Sequence, residues 1–284
     1  MTSDLESGWQ HEEAIINGIR LHWVEAGDGP LVVLLHGFPE FWYSWRHQIP
    51  ALSTRFRVVA PDLRGYNLSE RPQTGYDIET LTADVLALIH ALGEEKAVII
   101  GHDWGGVIAW AFAARFSDAT TKLVIMNAPH PERFQRSLMS GFRQMLRSSY
   151  VLFFQIPRLP ELLLGANRCW VLARGMRSSA KRVDAFSDED LERYRSAMSR
   201  PGALTAALGY YRALFRTRRQ TQQFADVEAP TLVLWGEHDR ALGKDLAEGL
   251  EEWVPNLTVH FLDCGHWTQQ EQPDQVNRYL AEFL

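Results

Sequence analysis

Gly101-His102-Asp103-Trp104-Gly105-Gly106 directly follows the apolar run Ala97-Val98-Ile99-Ile100. A short buried strand running into Gly-x-nucleophile-x-Gly makes a nucleophile elbow. Its glycines permit a strained strand-to-helix turn that lifts the central side chain above a sheet. The central residue here is Asp103, and no Gly-x-Ser-x-Gly occurs anywhere in the chain. A carboxylate in that position points away from acyl transfer and toward attack on an electrophilic carbon, which leaves an enzyme-bound ester for water to cleave. Epoxides and alkyl halides are electrophiles of that kind.

Two further residues fall where such a nucleophile needs help. Asp239 lies in Gly236-Glu237-His238-Asp239-Arg240, after the apolar run Leu232-Val233-Leu234-Trp235, and His266 lies in Cys264-Gly265-His266-Trp267, after the last apolar run. Residues at the C-terminal ends of parallel strands converge, so nucleophile, acid and histidine can meet in one site. His36-Gly37-Phe38-Pro39 follows Leu31-Val32-Val33-Leu34-Leu35. A loop there supplies one backbone donor to an oxyanion and the residue after the nucleophile supplies the other, which selects the amides of Phe38 and Trp104.

The elements that must position these residues follow an α/β rhythm. Glu12 to Glu25 alternates around Asn17-Gly18, a strong hairpin signal. The runs at 31–35, 56–60, 97–100 and 123–126 are nearly all apolar, as strands buried on both faces are. Leu81, Val85, Leu88, Ile89 and Leu92 recur at helical spacing over 80–92, and Gly93 ends that helix. After Asn127-Ala128-Pro129-His130-Pro131 the strands stop, resuming at 230–235 and 257–262 before a closing helix from Pro273 to Leu284. The pattern predicts an α/β core formed by residues 1–129 and 223–284, with a mostly parallel central sheet and a helical cap inserted over 130–222.

Composition sets bounds. The chain has 284 residues, 46% of them hydrophobic, enough for one large core or a core with an insertion. No apolar run is long enough to span a membrane. The start, Met1-Thr2-Ser3-Asp4-Leu5-Glu6, lacks the features of a signal peptide. Cys169 and Cys264 make neither a disulfide framework nor a metal-ligand spacing. The expectation is a reduced, cytoplasmic protein that needs no metal or organic cofactor and binds no nucleic acid. Charge is uneven: residues 130–222 hold 17 Arg and Lys against 7 Asp and Glu, a net of +10, so the remainder carries −16 within a total of −6. A basic lid on an acidic base accounts for this, and so does attraction of anionic partners. Apolar runs such as Leu159-Pro160-Glu161-Leu162-Leu163-Leu164 beside an excess of Arg raise the expectation of weak association with an anionic membrane surface.

The chain resembles the epoxide hydrolase family of the α/β-hydrolase fold over nearly its whole length. The likeness rests on His36-Gly37-Phe38-Pro39-Glu40, Gly101-His102-Asp103-Trp104-Gly105-Gly106, Gly236-Glu237-His238-Asp239 and Gly265-His266-Trp267, in the order nucleophile, acid, histidine. Most of these motifs are shared with haloalkane and haloacetate dehalogenases, so the cap discriminates. Tyr150-Val151-Leu152-Phe153-Phe154-Gln155 and Gly209-Tyr210-Tyr211-Arg212 resemble the two cap segments that carry a tyrosine pair in epoxide hydrolases. Tyr150, Phe153 and Phe154 share a helical face. Tyr210 and Tyr211 point about 100° apart on a helix, so only one faces the substrate well, and the motif selects Tyr211.

The resemblance implies hydrolysis of a small apolar epoxide to a vicinal diol. Tyr150 and Tyr211 hold and protonate the epoxide oxygen, Asp103 forms an ester, and His266, oriented by Asp239, activates the water. A haloalkane dehalogenase is the alternative enzyme, with Trp104 as a halide donor, but a halide leaves unprotonated and gives two tyrosines no task. A non-catalytic binding protein on this scaffold is the remaining alternative. His102, His130 and Cys264 read as packing residues, Trp42 and Trp45 read equally as pocket lining or as packing of the following helix, and His238 has no assigned role. Oligomeric state and the natural substrate are not legible.

Overall fold

The computed structural model describes residues 8–140, 142–216 and 225–284. Its eight strands are β1 (Gln10–Ile16), β2 (Ile19–Ala26), β3 (Leu31–Leu35), β4 (Arg57–Pro61), β5 (Ala97–His102), β6 (Thr120–Met126), β7 (Thr231–Gly236) and β8 (Leu257–Leu262). They form one sheet in the order β1-β2-β4-β3-β5-β6-β7-β8. The β1–β2 and β2–β4 pairings are antiparallel, and every pairing from β4 to β8 is parallel. The β1–β2 hairpin turns at Asn17-Gly18, both at positive φ.

Apolar side chains alternate between two cores because strand residues alternate faces. Val33, Leu35, Ile99, Leu123, Ile125 and Val233 pack on one side with α2 (Ile78–Ala91) and α3 (Trp104–Arg115). Val32, Leu34, Val98, Ile100, Val124 and Leu232 pack on the other with α1 (Gln48–Leu52) and the C-terminal helix Pro273–Phe283. Both faces being covered explains why these strands read as continuous apolar runs. Helix α2 begins at Ile78, two residues before the apolar periodicity, because Asp77 accepts a 3.0 Å hydrogen bond from the Thr80 amide and caps the first turn.

Between β6 and β7 the described residues contain helices and no strand. These are α4 (Pro131–Ser140), α5 (Phe142–Arg147), α6 (Tyr150–Phe153), α7 (Leu159–Ser179), α8 (Asp188–Met198) and α9 (Ala203–Arg216). The boundary expected at 222 lies outside the described residues. Within α7 the backbone leaves helical geometry at Ala166, and Asn167, Arg168 and Cys169 take positive φ, so the chain kinks there. The insertion is tied to the core by buried polar contacts. Arg46 Nε lies 3.2 Å from Asp190 Oδ1, which also accepts a 2.9 Å hydrogen bond from the Tyr43 hydroxyl. Two last helices, α10 (Thr268–Glu271) and α11 (Pro273–Phe283), follow β8.

Candidate active site

Asp103 stands between β5 and α3 with φ 50° and ψ −120°. A non-glycine residue there is strained, and the surrounding packing must hold it. The strand and helix come so close that a Cβ on Gly101 would lie 2.3 Å from the Gly105 carbonyl oxygen. The turn places the Asp103 carboxylate at the positive end of α3, 16% exposed to the cavity beyond it.

Two groups meet that carboxylate. The Phe38 amide donates a 2.8 Å hydrogen bond to Oδ1. His266 Nε2 lies 3.5 Å from Oδ2, and His266 Nδ1 donates to Asp239 Oδ2 at 2.7 Å. The amide of Trp104 opens α3, where first-turn N–H groups have no partner within the helix. Asp239 is fully satisfied, with Oδ1 accepting from the amides of Ala241 (2.8 Å) and Leu242 (3.0 Å) and Oδ2 also from Asn127 Nδ2 (2.8 Å).

Electrostatics follow from this geometry. Burial pushes the Asp103 carboxyl up, but hydrogen bonding and charge from His266 outweigh it and hold the group below the ordinary carboxylate value. Asp239 is lowered in the same sense, mainly by His266 against its own desolvation. For His266, burial pulls downward, yet Asp239 and Asp103 together raise its pKa well above 6.5. The two carboxylates therefore both favour the charged form of His266.

Sequence reasoning missed the supports behind these residues. Asn127 follows β6, and its Oδ1 accepts from the Gly236 amide at 3.0 Å and from the Thr268 hydroxyl. Glu40 is fully buried; its Oε2 accepts from the Gly37 amide (3.0 Å) and lies 2.8 Å from His102 Nδ1, while His102 Nε2 lies 2.9 Å from the His266 carbonyl oxygen. His102 thus bridges the Phe38 loop and the His266 loop. Glu271 Oε1 accepts from the Gly265 amide at 3.0 Å, and its Oε2 accepts from Lys181 at 2.8 Å and Arg182 at 3.0 Å, both amides of the insertion. A polar residue directly after an apolar parallel strand was the available signal for Asn127. Glu40 and Glu271 lie in loop and helix positions where no periodicity marks them.

Above Asp103 the insertion closes a cavity of about 1170 Å³. Tyr150 and Tyr211 both line it, with ring centroids 6.0 Å apart. Helical geometry turns the neighbouring tyrosines apart. Tyr210 is buried and donates to the Arg64 carbonyl at 2.7 Å, whereas Tyr211 packs edge-on against Trp104 at 5.1 Å and against Phe38 at 5.6 Å. Gln155 Nε2 donates to the Tyr211 carbonyl at 3.1 Å, tying the two tyrosine segments together. Burial, joined by the Asp103 charge, raises both phenols well above 10.0, so they stay protonated.

The remaining polar and aromatic candidates are placed away from the reacting groups. Trp42 and Trp45 are buried in the second core and do not line the cavity. His130 stacks on Trp253 at 5.0 Å, and burial pulls its pKa down to about 4. His238 pairs with Asp263 at 2.7 Å on the surface. Burial pushes the Cys264 thiol up to about 12. Among the described residues, no group of three or more His, Cys, Asp or Glu is placed to hold a metal ion. No helix among them is long and apolar enough to cross a membrane.

A model of the α/β hydrolase fold family matches residues 30–273. The chain is 41% identical over 279 residues to epoxide hydrolase 4 of Mus musculus, covering 94% of this chain and 77% of that one. It belongs to the epoxide hydrolase family of the α/β-hydrolase fold. Within that fold it is also 43% identical over 274 residues to the AB hydrolase superfamily protein YfhM of Bacillus subtilis, covering 94% and 95% of the two chains. The solved epoxide hydrolase of Bacillus megaterium in complex with an inhibitor superposes with a TM-score of 0.87 at 32% identity, over 96% of this chain and 99% of that one. The family model thus spans β3 through α10.

Proposed function

We propose that the protein converts an epoxide to a vicinal diol through a covalent ester on Asp103. The observation that carries this reading is the placement of one ionised carboxylate between the Phe38 amide, the His266–Asp239 pair and two protonated tyrosines on a single cavity.

In the first stage Tyr150 and Tyr211 hydrogen-bond the epoxide oxygen. An Asp103 oxygen attacks a ring carbon, the ring C–O bond breaks, and one tyrosine gives its proton to the departing oxygen. Ester formation removes the Asp103 charge, which weakens the hold on the His266 proton and stabilises the tyrosinate. Transfer of that proton back to the tyrosinate leaves a neutral imidazole.

In the second stage His266 takes a proton from water, and the resulting hydroxide attacks the ester carbonyl. The oxyanion forms beside the Phe38 and Trp104 amides; losing one such donor typically costs about 100- to 1000-fold. Collapse expels the diol oxygen, which takes its proton from His266. The carboxyl of Asp103 then ionises, and its proton restores the imidazolium. Asp239 keeps the Nδ1 proton in place and is never protonated.

The test is intact-protein mass spectrometry of His266→Ala incubated with a panel of epoxides and haloalkanes. The expected result is a mass gain equal to the whole epoxide, absent when Asp103→Ala is added. A gain of an alkyl group from haloalkanes alone would replace this reading with dehalogenation. No adduct together with no wild-type turnover on the panel would leave the scaffold as a binding protein.

A further inference from the structure

Large apolar side chains are unevenly spread over the surface. Among the described residues fifteen stand exposed; thirteen belong to the insertion, and only Ile15 and Phe261 lie outside it. A surface helix ordinarily turns its apolar stripe toward the core. The start of α7 does the opposite. Leu159, Leu162 and Leu163, spaced to share one helical face, are all exposed, Leu162 by 71%.

Leu164, the next residue along α7, lines the cavity. Leu214 of α9 and Val171 of α7 line the cavity and are themselves 56% and 44% exposed. Trp170 stands next to Val171 in the chain, with the Arg174 guanidinium 5.3 Å over its ring. Arg147 lines the cavity and Arg158 opens α7. Arg147, Arg158 and Arg174 have no carboxylate partner among the described residues.

Charge decides between occupants. The stretch 130–222 carries +10 and the remainder −16. A second copy meeting this face with its own insertion brings like charge against like. A second copy meeting it with its acidic remainder leaves the leucines uncovered, since that remainder exposes two large apolar side chains among the described residues. An anionic bilayer supplies both complements, a negative surface and an apolar interior beneath it.

We propose that this face docks on the surface of an anionic lipid bilayer. Leu159, Leu162, Leu163 and Trp170 enter the headgroup–acyl boundary while the arginines meet the headgroups. Docking is independent of the reaction assigned above. Where both hold, docking brings the insertion that covers the cavity to a bilayer in which an apolar epoxide dissolves.

The experiment is vesicle co-sedimentation of the full chain, using phosphatidylcholine vesicles with and without phosphatidylglycerol, at about 0.1 M and about 1 M salt. Wild type is expected to partition onto the anionic vesicles about ten-fold or more tightly than onto neutral ones, and to release at high salt. Leu162→Glu/Leu163→Glu and Arg158→Glu/Arg174→Glu should each weaken partitioning about ten-fold while keeping wild-type circular dichroism. Leu162→Ser/Leu163→Ser serves if the charged pair perturbs folding. Failure of wild type to bind anionic vesicles at low salt overturns the proposal. So does undiminished binding by the leucine variants, which would mean that charge alone acts. A wild-type dimer in light scattering that the leucine variants convert to monomer would assign the face to a second copy instead.

Discussion

Oδ2 of Asp239 accepts hydrogen bonds from two side chains at once, from Asn127 Nδ2 at 2.8 Å and from His266 Nδ1 at 2.7 Å. Asn127 also receives the Gly236 amide and the Thr268 hydroxyl on its Oδ1, so it joins the ends of β6 and β7 to the start of α10. The carboxylate that holds His266 is therefore itself held by a neutral amide. Asn127→Ala is expected to lower kcat about ten-fold and to destabilise the protein by about 1–3 kcal/mol, because three buried groups lose a partner. Steady-state turnover and thermal melts check this; unchanged kcat would mean that the two loop amides hold Asp239 by themselves.

The raised His266 pKa gives a signed pH dependence. Its two causes are Asp239 and Asp103, and ester formation abolishes the second. In single turnovers, ester hydrolysis should rise with pH and level off at a midpoint below the pH at which NMR shows His266 titrating in the free enzyme. Coincident midpoints would mean that the Asp103 charge does not raise the His266 pKa.

The same shift acts on stability. A group raised above 6.5 in the folded state contributes fully below 6.5, and its contribution is lost as pH rises through the folded value. His266→Gln should therefore lower Tm more at a pH of about 6 than at about 10. Asp103 and Asp239 work in the opposite sense: their contributions are present above the ordinary value of 3.8 and vanish as pH falls through their depressed folded values. Melts of His266→Gln and wild type across that range decide the sign.

Gly37 faces the nucleophile so closely that a Cβ there would lie 2.4 Å from Cβ of Asp103 and 2.6 Å from its Oδ1. Gly37→Ala must displace either the Phe38 loop or Asp103 itself. The expected cost is about 100-fold in kcat/KM, since misplacement of about 1 Å at a reacting group has that effect. A variant with near wild-type kinetics would show that the loop relaxes freely.

Tyr150→Phe and Tyr211→Phe should each slow ester formation, by about 10- to 100-fold, and the double variant should lose most of it. Ester hydrolysis, measured on preformed intermediate, should change far less. Because both phenols are raised well above 10.0, wild-type ester formation should not fall as pH passes about 10, where an ordinary tyrosine ionises. A fall centred there would mean that at least one phenol is more accessible to solvent than its burial implies.

The local chemistry was legible in the sequence where a few adjacent residues decide it. Period-two burial on both faces demands unbroken apolar runs, so β3, β5 and β6 could be read directly. The elbow needs glycines around Asp103, and Asn17-Gly18 needs positive φ, so both turns carry their own signatures. Order along the chain placed Asp239 and His266 after strands, and the tyrosine segments stood out by their neighbours. The tertiary structure decided everything that depends on residues far apart in the chain. Asn127 meets Asp239 across 112 positions, His102 reaches the His266 carbonyl across 164, and the carboxylate of Glu271 holds Lys181 and Arg182 from 90 and 89 positions away. A buried polar group must find a partner, but sequence shows only that it is polar, and which partner is near is settled by the packing of whole elements. The outward-facing leucines of α7 belong to the same class. Their spacing is helical in either orientation, and only the placement of the insertion over Asp103 determined that the apolar face looks out.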